Sequence, residues 1–181
     1  VLCAWPAVCD EDFSVILADD LIDGKLRPCL AQMQRVYQEY GTAVIATQRV
    51  PKEDISSYGV VETKPVGPGL GEIRRIVEKP KPEDAPSNLA VVGRYILTPR
   101  IFKLLERTPR GAGGEIQLTD AISMMIQEQT VLAYEFEGKR FDCGSKLGYL
   151  EANVEYGLKH PELADDFRAY LQKLTADWHK K

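Results

Sequence analysis

The pattern that most constrains this chain lies between Phe13 and Val50. A short apolar run with β-branched content, FSVIL at Phe13 to Leu17, is followed by PCLAQMQRVYQEY and then by TAVIATQRV. The middle segment, Pro28 to Tyr40, places Leu30, Met33, Val36 and Tyr37 at helical spacing and meets a stop signal at Gly41. A strand, a helix and a second strand within the length of a βαβ unit predict an α/β architecture with parallel strands, the first of them buried.

Beyond Val50 the pattern changes. YGVVE near Val60, EIRRIVE from Glu72 to Glu78 and LAVVGRYIL from Leu89 to Leu97 follow one another with turn chemistry between them, which predicts antiparallel strands attached to the parallel core. Pro99 opens a predicted helix, PRIFKLLERT, and the spacing of Leu118, Ala121, Ile122, Met125 and Ile126 predicts another from Ile116 to Gln129. Two further strands, VLAYEF and KRFDCG, precede helices from Lys146 to about His160 and from Pro161 to about Ala176. With no repeat and no long linker, one compact domain is expected across residues 1–181.

The 181 residues are 44% hydrophobic and 28% charged, enough for one substantial core. A formal net charge of −4 excludes a general nucleic-acid grip, which needs a basic stripe against phosphates. No stretch approaches the roughly 18 apolar residues of a membrane span, and VLCAWPAVCDEDF carries no basic export signal, so neither membrane nor export is expected. Cys3, Cys9, Cys29 and Cys143 have no zinc spacing and read as reduced thiols of a cytoplasmic protein.

Acidic residues gather where apolar strands end: Asp19 and Asp20 after FSVILA, Glu78 after IRRIV, Asp142 after KRF. Ligands of open α/β sheets bind beyond the carboxyl ends of strands, so these are candidate ligands of one hard cation. The competing reading is that Asp19, Asp20 and Asp23 only cap turns. Glu78 and Lys79 are open in the same way, as a solvated pair or as a carboxylate and an ammonium facing a ligand. GPGLGE (Gly67 to Glu72) and GAGGE (Gly111 to Glu115) match no phosphate-loop pattern and read as turns, the first topping a hairpin. His160, before Pro161, and His179, in a basic tail, support no catalytic role.

VILADD, YGVVE, VEKPKPEDAPSNLAVVGRYIL, GAGGEIQLTDAI and FDCGSKLGYLEANVEYGLKH occur here in one order. In order and spacing the chain resembles the bacterial UTP:glucose-1-phosphate uridylyltransferases of the sugar-phosphate nucleotidylyltransferase family, from Val1 to about Tyr170. SNLAVVGRY, GEIQLTDAI and FDCGSKLGY point to the uridylyl branch; a thymidylyl or cytidylyl relative is the neighbouring alternative.

The resemblance implies a Rossmann-like nucleotidyltransferase fold with a mixed, mainly parallel sheet and a small antiparallel portion. The implied reaction joins UTP and glucose 1-phosphate to give UDP-glucose and pyrophosphate. Asp19 and Asp142 become magnesium-side carboxylates, Lys79 meets the sugar phosphate, and Glu78, Asn88, Gly59 and the backbone at Val92 and Gly93 face the sugar. Glu115, Gln117, Asp120 and Lys146 match family positions that serve equally well as helix-start structure. A homo-oligomer is implied, with Mg2+ as cofactor. The family's opening strand and its G-x-G-T-R loop, which binds the triphosphate, have no counterpart in this sequence. The expectation is therefore a sugar-phosphate-binding portion, inactive or nearly so by itself; a non-catalytic binding fragment is the alternative.

Overall fold

The computed structural model describes residues 1–111 and 114–178. Its strands are β1 (Phe13–Ile16), β2 (Asp20–Asp23), β3 (Ala43–Arg49), β4 (Gly59–Gly67), β5 (Leu70–Glu78), β6 (Leu89–Leu97), β7 (Val131–Glu135) and β8 (Lys139–Asp142). Among the described residues, six of them form one sheet in the order β1-β6-β3-β7-β5-β4, and β2 pairs with β8. The longest apolar runs, β3 and β6, lie side by side and are buried along most of their length. Both their faces are covered, which is why these segments read as continuous rather than alternating hydrophobic runs.

The helices are α1 (Trp5–Val8), α2 (Cys29–Tyr40), α3 (Arg100–Arg107), α4 (Leu118–Met125), α5 (Lys146–Gly157) and α6 (Ala164–Trp178). Alternate residues of the central strands feed two cores. Ala43, Ile45, Leu89, Val91, Tyr95 and Leu97 pack with α3 and α4. Val44, Ala46, Val92 and Ile96 pack with Cys29 and Met33 of α2. Phe102 of α3 is fully buried and stacks on Phe13 at 4.9 Å between ring centroids. Burying a side chain of that size stabilises the fold by about 1.5–3 kcal/mol. At the end of α2, Gly41 takes the left-handed conformation at φ 62° and donates its N–H to the Tyr37 carbonyl, the predicted stop.

Three expectations change. β1 is half-exposed, alternating along its length, because among the described residues it pairs only with β6, at the sheet edge. β1 and β3 do run parallel, since both are antiparallel to β6, but β6 lies between them. The sheet is mixed, as expected, yet its balance differs: within the six-stranded sheet of the described residues only β3 and β7 are parallel neighbours. The local pattern reveals each strand but not that a later one inserts between two earlier ones. The β4–β5 hairpin forms as predicted, turning through Gly69 at φ 64°.

The chain divides into two compact units, residues 1–18 with 22–139, and residues 19–21 with 140–181. The second contains α5 and α6. Ser145 caps α5, its hydroxyl accepting from the Gly148 N–H at 3.0 Å. Helix boundaries shift by a few residues: 116–129 contracts to α4, 146–160 to α5, and the last helix starts at Ala164.

Candidate functional site

In the first unit, antiparallel pairing brings Gly59, the first residue of β4, opposite Glu78, the last of β5. A β-carbon built on Gly59 would lie 3.2 Å from Glu78 Oε2 and 3.4 Å from Thr119 Oγ1, so the glycine permits a close approach that alanine would crowd. The Thr119 hydroxyl, in the first turn of α4, donates to Glu78 Oε2 at 2.6 Å. Thr119 was not singled out in the sequence; the GEIQLTDAI motif that carries it was the only available signal.

Lys79 follows at φ 44°, a left-handed conformation unusual for a residue with a β-carbon, and its N–H donates to the Tyr58 carbonyl at 2.9 Å. Strain of this kind concentrates at ligand sites, where the surrounding structure enforces it. The Lys79 ammonium stands 4.0 Å from Glu78 Oε1, with side chains 63% and 28% exposed. So loose and exposed a pair contributes at most about 1 kcal/mol, which leaves the ammonium available to an anion.

Asn88 is exposed, its side-chain oxygen accepting from Arg49 Nη1 at 3.1 Å and its carbonyl from the Val50 N–H at 3.0 Å. Val92 and Gly93 lie in the buried middle of β6. The Val92 side chain belongs to the α2-side core, and the Gly93 carbonyl accepts from the Leu17 N–H at 2.9 Å. Val92 thus has its side chain in the core, and Gly93 has none. The pairing of Val60 with Ala90 puts the start of β4 beside the first half of β6, which brings Gly59 toward this stretch.

In the second unit, Asp19 and Asp142 come together around Gly144. A β-carbon on Gly144 would lie 3.1 Å from Asp142 Oδ1 and 3.2 Å from Asp19 Oδ2. The Cys143 N–H donates to the Asp19 carbonyl at 2.8 Å, and the Gly144 N–H to Asp142 Oδ1 at 3.1 Å. Asp19 is exposed, whereas Asp20 is buried and bound to Arg140, with only 8% and 11% of the two side chains accessible. Asp20 is thus committed to an ion pair. No group of three or more His, Cys, Asp or Glu forms a metal cluster among the described residues. Two converging carboxylates still fit Mg2+, which commonly uses one or two protein carboxylates and fills its octahedron with phosphate oxygens and water.

The remaining candidates have local roles. The Glu115 carbonyl accepts from the Gly111 N–H at 2.9 Å, Gln117 is the backbone cap of α4, and Asp120 lies in its first turn. Lys146 is the exposed first residue of α5. His160 Nδ1 accepts from the Glu162 N–H at 3.2 Å and stabilises a turn. His179, and Ala112 and Gly113 of the second glycine cluster, lie outside the described residues. All four cysteines are free, and burial pushes the Cys29 thiol up to about 11. A cavity of about 470 Å³ runs along α2, but none of the predicted site residues line it. Its wall mixes Lys25, Arg27 and Arg35 with Glu39 and Glu137, so it is not aimed at one charge type.

The nucleotidyl transferase family matches residues 2–158, through both units. The chain belongs to that family. Among relatives of this nucleotidyl transferase chain, the UTP–glucose-1-phosphate uridylyltransferase of Staphylococcus epidermidis is 47% identical over 165 residues, covering 91% of this chain and 57% of the relative. That of Haemophilus influenzae is 48% identical over 183 residues, covering 97% and 62%. A crystal structure of UDP-glucose pyrophosphorylase complexed with UDP-glucose superposes with a TM-score of 0.85 at 46% identity, covering 88% of this chain and 61% of that one. UTP-bound UGPase from Acinetobacter baumannii gives a TM-score of 0.86 at 44% identity, covering 96% and 60%. The nucleotidyl transferase fold expected from the sequence is therefore the observed one. The chain spans about 60% of the length of the curated relatives it matches. Among the described residues no helix is long and apolar enough to cross a membrane.

Proposed function

We propose that these residues belong to a UTP:glucose-1-phosphate uridylyltransferase, which forms UDP-glucose and pyrophosphate. The observation that carries the reading is the 46% identity and 0.85 TM-score to a UDP-glucose pyrophosphorylase complexed with UDP-glucose. The two units work within one nucleotidyltransferase domain, which the family match running through both supports.

A phosphate oxygen of glucose 1-phosphate attacks the α-phosphorus of UTP; the bond to the β-phosphate breaks and pyrophosphate leaves. A phosphate monoester has its second pKa near 6, so the nucleophile is mostly ionised at neutral pH and needs no general base. What the protein supplies is alignment of two polyanions and neutralisation of their charge. Lys79 meets the sugar phosphate as a compact point charge, and Glu78 accepts from sugar hydroxyls. Gly59, Asn88 and the backbone at Val92 and Gly93 complete the sugar side. Asp19 and Asp142 hold Mg2+, which when bound offsets the charge of the phosphates. Free cysteines support a cytoplasmic setting, and the family supports a homo-oligomer acting on small molecules rather than nucleic acid or membrane.

The test is phosphorus NMR of the whole protein that carries these residues, with UTP, glucose 1-phosphate and Mg2+; the 181 residues alone should turn over little or nothing. UDP-glucose and pyrophosphate should appear, with Lys79→Ala and Asp142→Asn slowing turnover by about 10²–10³-fold. TDP-glucose formed from TTP at least as fast would move the assignment to the thymidylyl branch, and no product with either nucleotide would end it.

A further inference from the structure

We propose that Thr119 is a positioning residue that sets sugar selectivity by fixing the carboxylate plane of Glu78; this rests on the sugar-side role given to Glu78 above. Thr119 comes from the first turn of α4, Glu78 from the end of β5 and Gly59 from the start of β4, so three separate elements converge on one carboxylate. The Thr119 hydroxyl donates to Oε2 at 2.6 Å, within the short range of hydroxyl-to-carboxylate bonds. A hydroxyl has one proton to give, and here it is spent on Glu78.

The consequence is an asymmetric carboxylate. Oε2 is held, crowded on the side where Gly59 and Thr119 approach. Oε1 lies toward the Lys79 ammonium, 4.0 Å away. The torsion that turns a glutamate carboxylate is broad and weakly restrained. Without Thr119 either oxygen could face a ligand over a range of angles. With it, Oε1 presents its lone pairs in one plane beside the cation that meets the phosphate. A hydroxyl of one configuration then meets an aligned acceptor, and the epimeric hydroxyl does not. Sites built to bond a substrate hydroxyl discriminate in this way, because the wrong partner leaves a polar group unpaired.

The experiment is steady-state kinetics of the protein as it occurs, with glucose 1-phosphate and its C4 epimer galactose 1-phosphate, for Thr119→Val, Thr119→Ala, Thr119→Ser and Glu78→Gln. Thr119→Val and Thr119→Ala should raise KM for glucose 1-phosphate about tenfold, the loss expected for one charge-assisted hydrogen bond, and shrink discrimination against the epimer. KM for UTP should stay unchanged and Thr119→Ser should restore both quantities. Thr119→Ala removes the same proton with no added bulk, so it carries the test if the valine variant does not fold. Unchanged discrimination in Thr119→Ala, or a serine variant no better than alanine, overturns the proposal while a weakened Glu78→Gln keeps the sugar-side reading. A Glu78→Gln variant with unaltered KM for glucose 1-phosphate overturns both.

Discussion

The Cys143 N–H donates to the Asp19 carbonyl at 2.8 Å, and through that bond the residue after one candidate metal ligand grips the backbone of the other. The Gly144 N–H then holds Asp142 Oδ1, so two carboxylates far apart in sequence share one short stretch of backbone. Direct Mn2+ binding, followed by electron paramagnetic resonance, should weaken by at least about tenfold in Asp19→Asn and in Asp142→Asn. Equal Mn2+ affinity in the variants and the parent would remove both from the metal site.

Asp20 tests the opposite role. Its ion pair with Arg140 is nearly sequestered from water, and removing one partner of such a pair leaves a buried charge. Asp20→Ala should cost about 3–5 kcal/mol of stability, read from the urea midpoint. A loss below about 1 kcal/mol would show that the pair behaves as a surface contact.

Gly59→Ala puts a methyl group 3.2 Å from Glu78 Oε2 and 3.4 Å from Thr119 Oγ1. Gly59 has ordinary strand backbone, so the fold tolerates alanine, but Glu78 must move. KM for glucose 1-phosphate should rise while the melting temperature changes little. A melting temperature that collapses with KM untouched would make Gly59 a folding residue only.

Thr47, fully buried on β3, has a hydroxyl without a hydrogen-bond partner among the described residues. A buried polar atom left unpaired costs about 1–3 kcal/mol. Thr47→Val keeps the shape and removes that atom, so thermal stability should hold or rise. A marked fall in the melting temperature would reveal a partner for the hydroxyl.

Burial at the start of α2 raises the Cys29 thiol from 9.0 to about 11. The folded state therefore keeps a proton that the unfolded chain releases first. The stability this confers is complete below pH 9 and is lost as pH rises toward 11. The difference in urea midpoint between the parent and Cys29→Ala should shift over that window and be flat below it. In thiol labelling at neutral pH, Cys3 and Cys9 should react quickly and Cys29 only on unfolding, since the first two are exposed and Cys29 is buried.

Much of the fold was legible because its signals are local. The helical spacing of Leu30, Met33, Val36 and Tyr37 with Gly41 after it marks α2, and the glycines around Gly69 mark the β4–β5 turn. The site was legible differently. Glu78, Lys79, Asp19 and Asp142 stand at strand ends, which the sequence displays, but their roles entered through resemblance to a family. Asp20 and Asp19 are chemically identical neighbours, and only the burial of one against Arg140 separates them.

By itself the sequence determined which of the longer segments become helices and strands, with ends placed to within a few residues, and which residue types stand near those ends, because capping, periodicity and turn chemistry act between near neighbours. The tertiary structure decided that β6 lies between β1 and β3, that β1 is an edge, and that Thr119 reaches Glu78. Those outcomes depend on pairings between residues tens of positions apart. Such pairings are chosen by burial and hydrogen bonding of the whole folded unit, and no local pattern encodes them.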